Sequence, residues 1–135
     1  MCGTPIRIIR LKMGENMSKE NIEVSKIMNR LHDLQQNQLK NSKAMDKLDY
    51  SERDFFELNK QGTRILDSLY KTWETDTELI HVINDNRIEL QHYKKRIINE
   101  IEQNREMLIK EKKRLYNQEE DLYTLKRTII QEEKE

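Results

Sequence analysis

The stretch Trp73-Glu74-Thr75-Asp76-Thr77-Glu78 lies between two long runs of regularly spaced apolar residues, and its reading decides the fold. Thr75 followed by Glu78 has the spacing of a capping box, in which a hydroxyl accepts a backbone N–H and a carboxylate reaches back to the cap. Asp76 and Glu78 also suit the positive end of a new helix. The spacing predicts that one helix stops and another starts, with the turn at residues 73–76.

The runs on either side are helical in period. Before the turn, steps of three and four connect Val24, Ile27, Leu31, Leu34, Gln38, Asn41, Met45, Leu48, Glu52, Phe55, Asn59, Gly62, Leu66, Leu69 and Trp73. After it, the same steps connect Ile80, Ile83, Arg87, Leu90, Lys94, Ile97, Ile101, Asn104, Leu108, Glu111, Leu115, Gln118, Leu122, Leu125 and Ile129. Ten of the fifteen positions in each ladder are apolar, a density that over several heptads signals packed helices with a coiled-coil-like seam. Strand alternation is nowhere sustained.

The expected fold is all-α: a long antiparallel two-helix hairpin with arms of about 55 and 57 residues, each roughly 80 Å long at the rise of an α-helix. Gly62, beside Asn59 and Gln61, is costly inside a helix. Ser51 with Asp54 has the character of a fresh start before Phe55, so a kink or break is expected near residues 50–62. Neither Gly nor Pro marks the turn, which leaves one continuous helix as the alternative.

Composition agrees with long helices. Of 135 residues, 37% are charged and 35% hydrophobic, with three Gly and one Pro. That is lean for a compact globule and suits a chain burying one stripe per helix. Lys+Arg and Asp+Glu number 25 each, so the basic excess of nucleic-acid binders is missing. The basic clusters Lys94-Lys95-Arg96 and Lys110 to Arg114 stand among Glu89, Glu100, Glu102, Glu106, Glu111 and Glu119, as on a solvated helix face. A single cysteine, Cys2, precludes an intrachain disulfide framework. No apolar run approaches the ~20 residues that cross a bilayer, and no cleavable signal peptide is apparent. Cytoplasmic synthesis without a cleaved signal is the expectation.

Residues 1–16 differ from the rest, holding the only Pro, the only Cys and two of the three Gly. Gly14-Glu15-Asn16 precedes Met17, and Gly-Glu is commonly encoded by a bacterial ribosome-binding sequence. The expectation is a disordered leader over residues 1–16, natural initiation at Met17 or Met13, and a single helical-hairpin domain over residues 17–135. A chain beginning at Met17 is then expected to fold and bind as well as the full one.

Apolar residues outnumber what one hairpin seam needs. Leu108-Ile109, Leu115-Tyr116, Leu122-Tyr123 and Ile129-Ile130 repeat every seven residues, and Phe55-Phe56, Ile65-Leu66 and Leu69-Tyr70 are similar pairs in the first arm. Adjacent residues lie about 100° apart on a helix, so each pair widens the stripe beyond the reach of one neighbour. Scattered surface Tyr and Ile are common, but the seven-residue repeat predicts further helices from a partner. The candidate partner-binding residues are Phe55, Phe56, Ile65, Leu69, Tyr70, Trp73, Ile109, Tyr116, Tyr123 and Ile130.

Catalytic signatures are missing: no phosphate-binding Gly loop, no cysteine metal cluster, no nucleophile motif. Glu78-Leu79-Ile80-His81 and Glu89-Leu90-Gln91-His92 have the Glu-x-x-His spacing of di-iron bundles. They share one helix about 16 Å apart, so one chain cannot close a dinuclear site with them. Neither cofactor nor metal is expected. Trp73 reads first as a ring filling the end of the seam and second as a recognition element at the tip.

A helical hairpin with Trp73 at its turn resembles the small Trp-x-Gly proteins of bacterial type VII secretion, although Trp73-Glu74-Thr75 lacks the glycine and the arms are longer. The stretch from Asp54-Phe55-Phe56 to Trp73 is closer to the LXG-associated α-helical proteins of Gram-positive type VIIb systems. The resemblance covers about residues 18–135, and the Asn-, Lys- and Ile-rich composition accords with an AT-rich Gram-positive genome. It implies a non-enzymatic targeting factor or chaperone that bundles with the helical N-terminal domain of an LXG toxin, together with a second small helical protein, for export. A self-associating coiled-coil scaffold and an immunity or inhibitor protein are the alternatives. A homo-oligomer is compatible with the first of these.

Overall fold

A computed structural model describes the backbone of residues 4–134 and the side chains of residues 19–133. The leader expected over residues 1–16 lies outside the residues described in full. Two helices account for the fold: α1, Thr4–Thr72, and α2, Thr77–Lys134, packed against each other as a hairpin with no strand among the described residues. The non-helical link is residues 73–76, where the sequence places it.

The turn works without glycine because no residue in it needs a left-handed backbone. α1 closes on the bond from Trp73 N to Leu69 O at 3.0 Å, and the Thr72 hydroxyl donates to Ser68 O at 2.9 Å. Asp76 N then donates to Trp73 O at 2.9 Å, and Ile80 N donates to Asp76 O at 3.0 Å to open α2. The cap differs from the expected one. Asp76, not Thr75, is the N-cap: its Oδ1 accepts the N–H of Leu79 at 3.3 Å. A carboxylate at this place satisfies one of the unpaired first-turn donors and meets the positive end of the helix dipole.

The chain divides into two compact units, each drawing on both helices. The first comprises residues 1–40 with residues 112–135. Its core is Ile27, Leu31 and Leu34 from α1 against Leu115 from α2, and Leu115 is only 1% exposed. Lys126 Nζ approaches Met28 Sδ at 3.4 Å in this unit.

The second unit comprises Asn41–Glu111 and includes the turn. Ile83 and Ile101 are buried there, and so is the polar Asn41. The Asn41 side chain donates from Nδ2 to Leu108 O at 3.0 Å, which satisfies a buried amide and ties one register of the two helices. Gly62 faces Leu90, and Arg87 Nη2 meets Asp67 Oδ1 at 2.6 Å. Arg105 Nη2 bridges Asp49 Oδ1 at 3.0 Å and Glu52 Oε2. Partner numbers fall along α2 as they rise along α1, so the pairing is antiparallel.

Two expectations need correction. The break expected near residues 50–62 is not there: the backbone is α-helical throughout. Glu52 is ion-paired, the Thr63 hydroxyl donates to Asn59 O at 2.9 Å, and Gly62 lies on the seam. Tertiary packing thereby outweighs a local propensity of about 1 kcal/mol. The α1 ladder is otherwise buried or half-buried from Val24 to Leu66, and only Leu69 and Trp73 are exposed.

The α2 ladder slips. Asn104, Gln118 and Leu125 are exposed, whereas Arg105, Glu119 and Lys126, one residue later, are half-buried. The steps Ile97, Ile101, Arg105, Leu108 run four, four, three where the ladder runs four, three, four, and the ladder is regained at Leu108, Leu122 and Ile129. Long charged side chains fill these flanks with their aliphatic stems.

Two substitution pairs test this packing. Leu115→Ala should cost about 2–5 kcal/mol, and Leu125→Ala only about 0.5 kcal/mol, by urea unfolding followed with far-UV circular dichroism. Equal losses would mean that the seam follows the strict ladder after all. At the turn, Asp76→Ala should cost about 1 kcal/mol and Thr75→Ala far less; the reverse order would restore Thr75 as the cap.

Candidate interaction surface

Adjacent residues on a helix point about 100° apart, so a buried residue leaves its neighbour facing elsewhere. In the first unit Leu115 is buried while Tyr116 is 57% exposed; Leu122 and Ile129 are half-buried while Tyr123 and Ile130 are exposed. Tyr116, Tyr123 and Ile130 therefore form one outward stripe, repeating every seven residues. On α1 of the same unit, Ile22 and Met28 are also exposed. A groove of about 430 Å³ runs between the helices of this unit, with Leu34 and Leu122 in its floor and Arg30, Asp33 and Asp121 among its walls.

The second unit holds the remaining candidates. Phe55 is half-buried, and Phe56 is exposed with its ring centroid 6.0 Å from that of Phe55, tilted by 55°. Ile65, Leu69, Tyr70 and Ile109 are exposed. Tyr70 is partly committed within the unit, because the Arg87 guanidinium lies 5.4 Å from its ring centroid while also pairing with Asp67. Trp73 leaves 46% of its surface exposed, so it caps the end of the seam only in part.

The sequence reading missed a second outward set in this unit. Leu79, Tyr93 and Met107 are exposed on α2 at intervals of two heptads, with Val82 one turn after Leu79. The spacing was visible, but charged residues between the three hid it: Glu89, Arg96 and Glu100. His81 and His92 are both exposed, and no cluster of three or more His, Cys, Asp or Glu side chains gathers among the described residues. No helix among those residues is long and apolar enough to cross a membrane.

Electrostatics differ between the units. In the second, hydrogen bonds from Arg105 to Glu52 and then to Asp49 hold its guanidinium charged more firmly than usual, against a smaller opposing effect of burial. In the first, the Glu20 carboxyl is raised above its ordinary 4.5. A hydrogen bond with Glu133 is the main cause, followed by desolvation and by repulsion from Glu133, Glu23 and Glu132.

A raised carboxyl holds its proton more tightly in the folded form than in the unfolded chain. Its stabilisation is fully present below the unfolded value and is lost as pH rises through the folded one. The first unit should therefore hold together more firmly in mild acid than at neutral pH near Glu20 and Glu133. Helical Cα shifts at residues 19–24 should increase on acidification, and Glu20→Gln should flatten that response. An unchanged response in the variant would exclude the carboxyl pair as its source.

The model of the DUF3958 family, proteins of unknown function, matches residues 22–129, which takes in the turn and most of both helices. The chain belongs to that family. No curated protein and no solved structure matches it.

Proposed function

We propose that this DUF3958 protein is a non-enzymatic helical binding partner. In this reading it is a targeting factor or chaperone that bundles with the helical N-terminal domain of an LXG toxin, alongside a second small helical protein, for export by a type VIIb secretion system. The observation that carries the reading is the stripe Tyr116, Tyr123 and Ile130, exposed beside the seam residues Leu115, Leu122 and Ile129. Single exposed apolar residues are ordinary; three at heptad spacing form the edge against which another helix packs.

The mechanism is helix bundling. A partner helix covers the stripe, its apolar residues fill the spaces between Tyr116, Tyr123 and Ile130, and water leaves the contact. Burial of about 1,500–2,500 Å² is in the range of stable specific complexes, with the aromatic side chains contributing most. Ile65, Leu69 and Trp73, at steps of four along α1, are a second exposed row in the second unit. The resemblance to the LXG-associated proteins supplies the identity of the partner, and the stripe supplies the mode of contact.

Co-expression with an adjacent LXG open reading frame and capture through a tag on this chain is the direct test. The toxin's helical N-terminal domain should co-purify. The triple variant Tyr116→Ser, Tyr123→Ser and Ile130→Ser should weaken capture at least about a hundredfold if each residue contributes about 1–2 kcal/mol, while its melting temperature stays near that of the parent chain. Capture that survives all three substitutions would remove the stripe from the interface. A stable homodimer or homotetramer by light scattering, with no toxin bound, would turn the reading to a self-associating scaffold.

A further inference from the structure

We infer that a cleft in the second unit, between Asn59 and Thr63 of α1 and Arg87, Gln91 and Lys94 of α2, receives a carboxylate side chain from a partner helix. The inference rests on the reading that a helical partner covers this unit, and it adds which chemistry that partner must carry.

The cleft is about 180 Å³, floored in part by Leu90. Leu66 of α1 completes its apolar part. Its charged lining is cationic, from Arg87 and Lys94, while Asn59 and Gln91 can each donate or accept. Arg87 uses Nη2 on Asp67, but its Nε is buried without a hydrogen-bond partner. Lys94 is half-buried and takes part in no ion pair among the described residues. The Thr63 hydroxyl already donates to Asn59 O. No carboxylate lines the cleft. A half-buried ammonium beside an unpaired guanidinium N–H is unfavourable until an anion is supplied, and a carboxylate matches both donors with charge-assisted hydrogen bonds.

The flanks of the cleft say what presents that carboxylate. Phe56, Asn59, Thr63 and Tyr70 follow one another at steps of three, four and seven along α1, so they share a face. Phe56 and Tyr70 are both exposed. The cleft therefore lies between two aromatic contacts, about one turn from the first and two from the second. A helix laid along this face would place apolar residues on Phe56 and Tyr70 and an Asp or Glu between them. A freely diffusing anion needs neither aromatic flank.

The test has two arms, each on the full chain. In the first, sodium acetate replaces chloride at constant ionic strength while Arg side-chain Nε–H resonances are followed by NMR. The Arg87 signal should shift saturably, those of Arg53 and Arg64 should not, and Lys94→Met should abolish the shift while circular dichroism shows the hairpin intact. No shift at Arg87, or an equal shift in Lys94→Met, overturns the inference whatever the partner is.

In the second arm, Lys94→Glu should weaken binding of the co-purified LXG domain at least about tenfold, Lys94→Met should weaken it less, and the salt dependence should fall in both. Unchanged partner affinity in Lys94→Glu overturns the docking role. If inorganic phosphate also shifts Arg87 in that case, the cleft is a small-anion site instead. If the parent chain captures no LXG domain, the toxin reading fails and the acetate arm alone decides the cleft.

Discussion

Each unit depends on a single stripe per helix buried against the other in antiparallel register. Two helices alone offer each other one face, so the stabilisation available is that of a narrow contact and small losses matter. Leu115 in the first unit, with Ile83 and Ile101 in the second, supplies the dry part of it. Apolar contacts are tolerant of sliding, and it is polar groups that remove the tolerance. Moving Asn41 by one turn would leave its buried amide away from the Leu108 carbonyl, and would separate Arg105 from Asp49 and Glu52. The register in the second unit thus follows from the penalty on unsatisfied groups more than from the strength of the bonds themselves.

Much of this was legible in the sequence because the period of apolar residues is a direct image of the helix. The α1 ladder from Val24 to Leu66 coincides with the buried or half-buried positions, including the polar Gln38, Asn41, Glu52 and Asn59. The turn was legible because Thr75, Asp76, Thr77 and Glu78 concentrate capping chemistry. Which of them caps was not, since Asp76 and Thr75 are one residue apart and both have the required oxygen. The slip in α2 was hidden for a different reason. Asn104 beside Arg105 and Gln118 beside Glu119 are adjacent polar pairs, so spacing alone could not tell which stem lies at the seam, and the ladder resumes at Leu108 and Leu122 either way. Gly62 misled in the opposite direction: its local cost is real, yet the position is packed against Leu90 and the helix continues through it.

The surface was legible in part. The pairs Leu115-Tyr116, Leu122-Tyr123 and Ile129-Ile130 each divide into one seam residue and one outward residue, as their 100° separation dictates. Tyr70 shows the limit of such reasoning, because sequence spacing could not reveal that Arg87 lies over its ring. Nor could it reveal the cleft beside Leu90, which exists only once two helices bring Asn59 and Thr63 to face Gln91 and Lys94.

Charge composition constrains how recognition works in such a chain. With Lys+Arg and Asp+Glu balanced at 25 each, the long-range field is weak and gives little steering toward any partner. Selectivity must then arise at contact, from where apolar side chains stand along a face and from which local charges lack a counterpart. Charges of both signs are interspersed along both helices, which makes their faces interchangeable with those of many solvated helices. A face becomes distinctive where that neutralisation fails beside exposed aromatic rings, and in the second unit the cation without an ion pair there is Lys94, next to the unpartnered Nε of Arg87 and between Phe56 and Tyr70. Apolar packing alone would accept any amphipathic helix of suitable length. An uncompensated cation between two aromatic contacts accepts only one with an acid in the matching position, because every other partner would bury that charge unpaired.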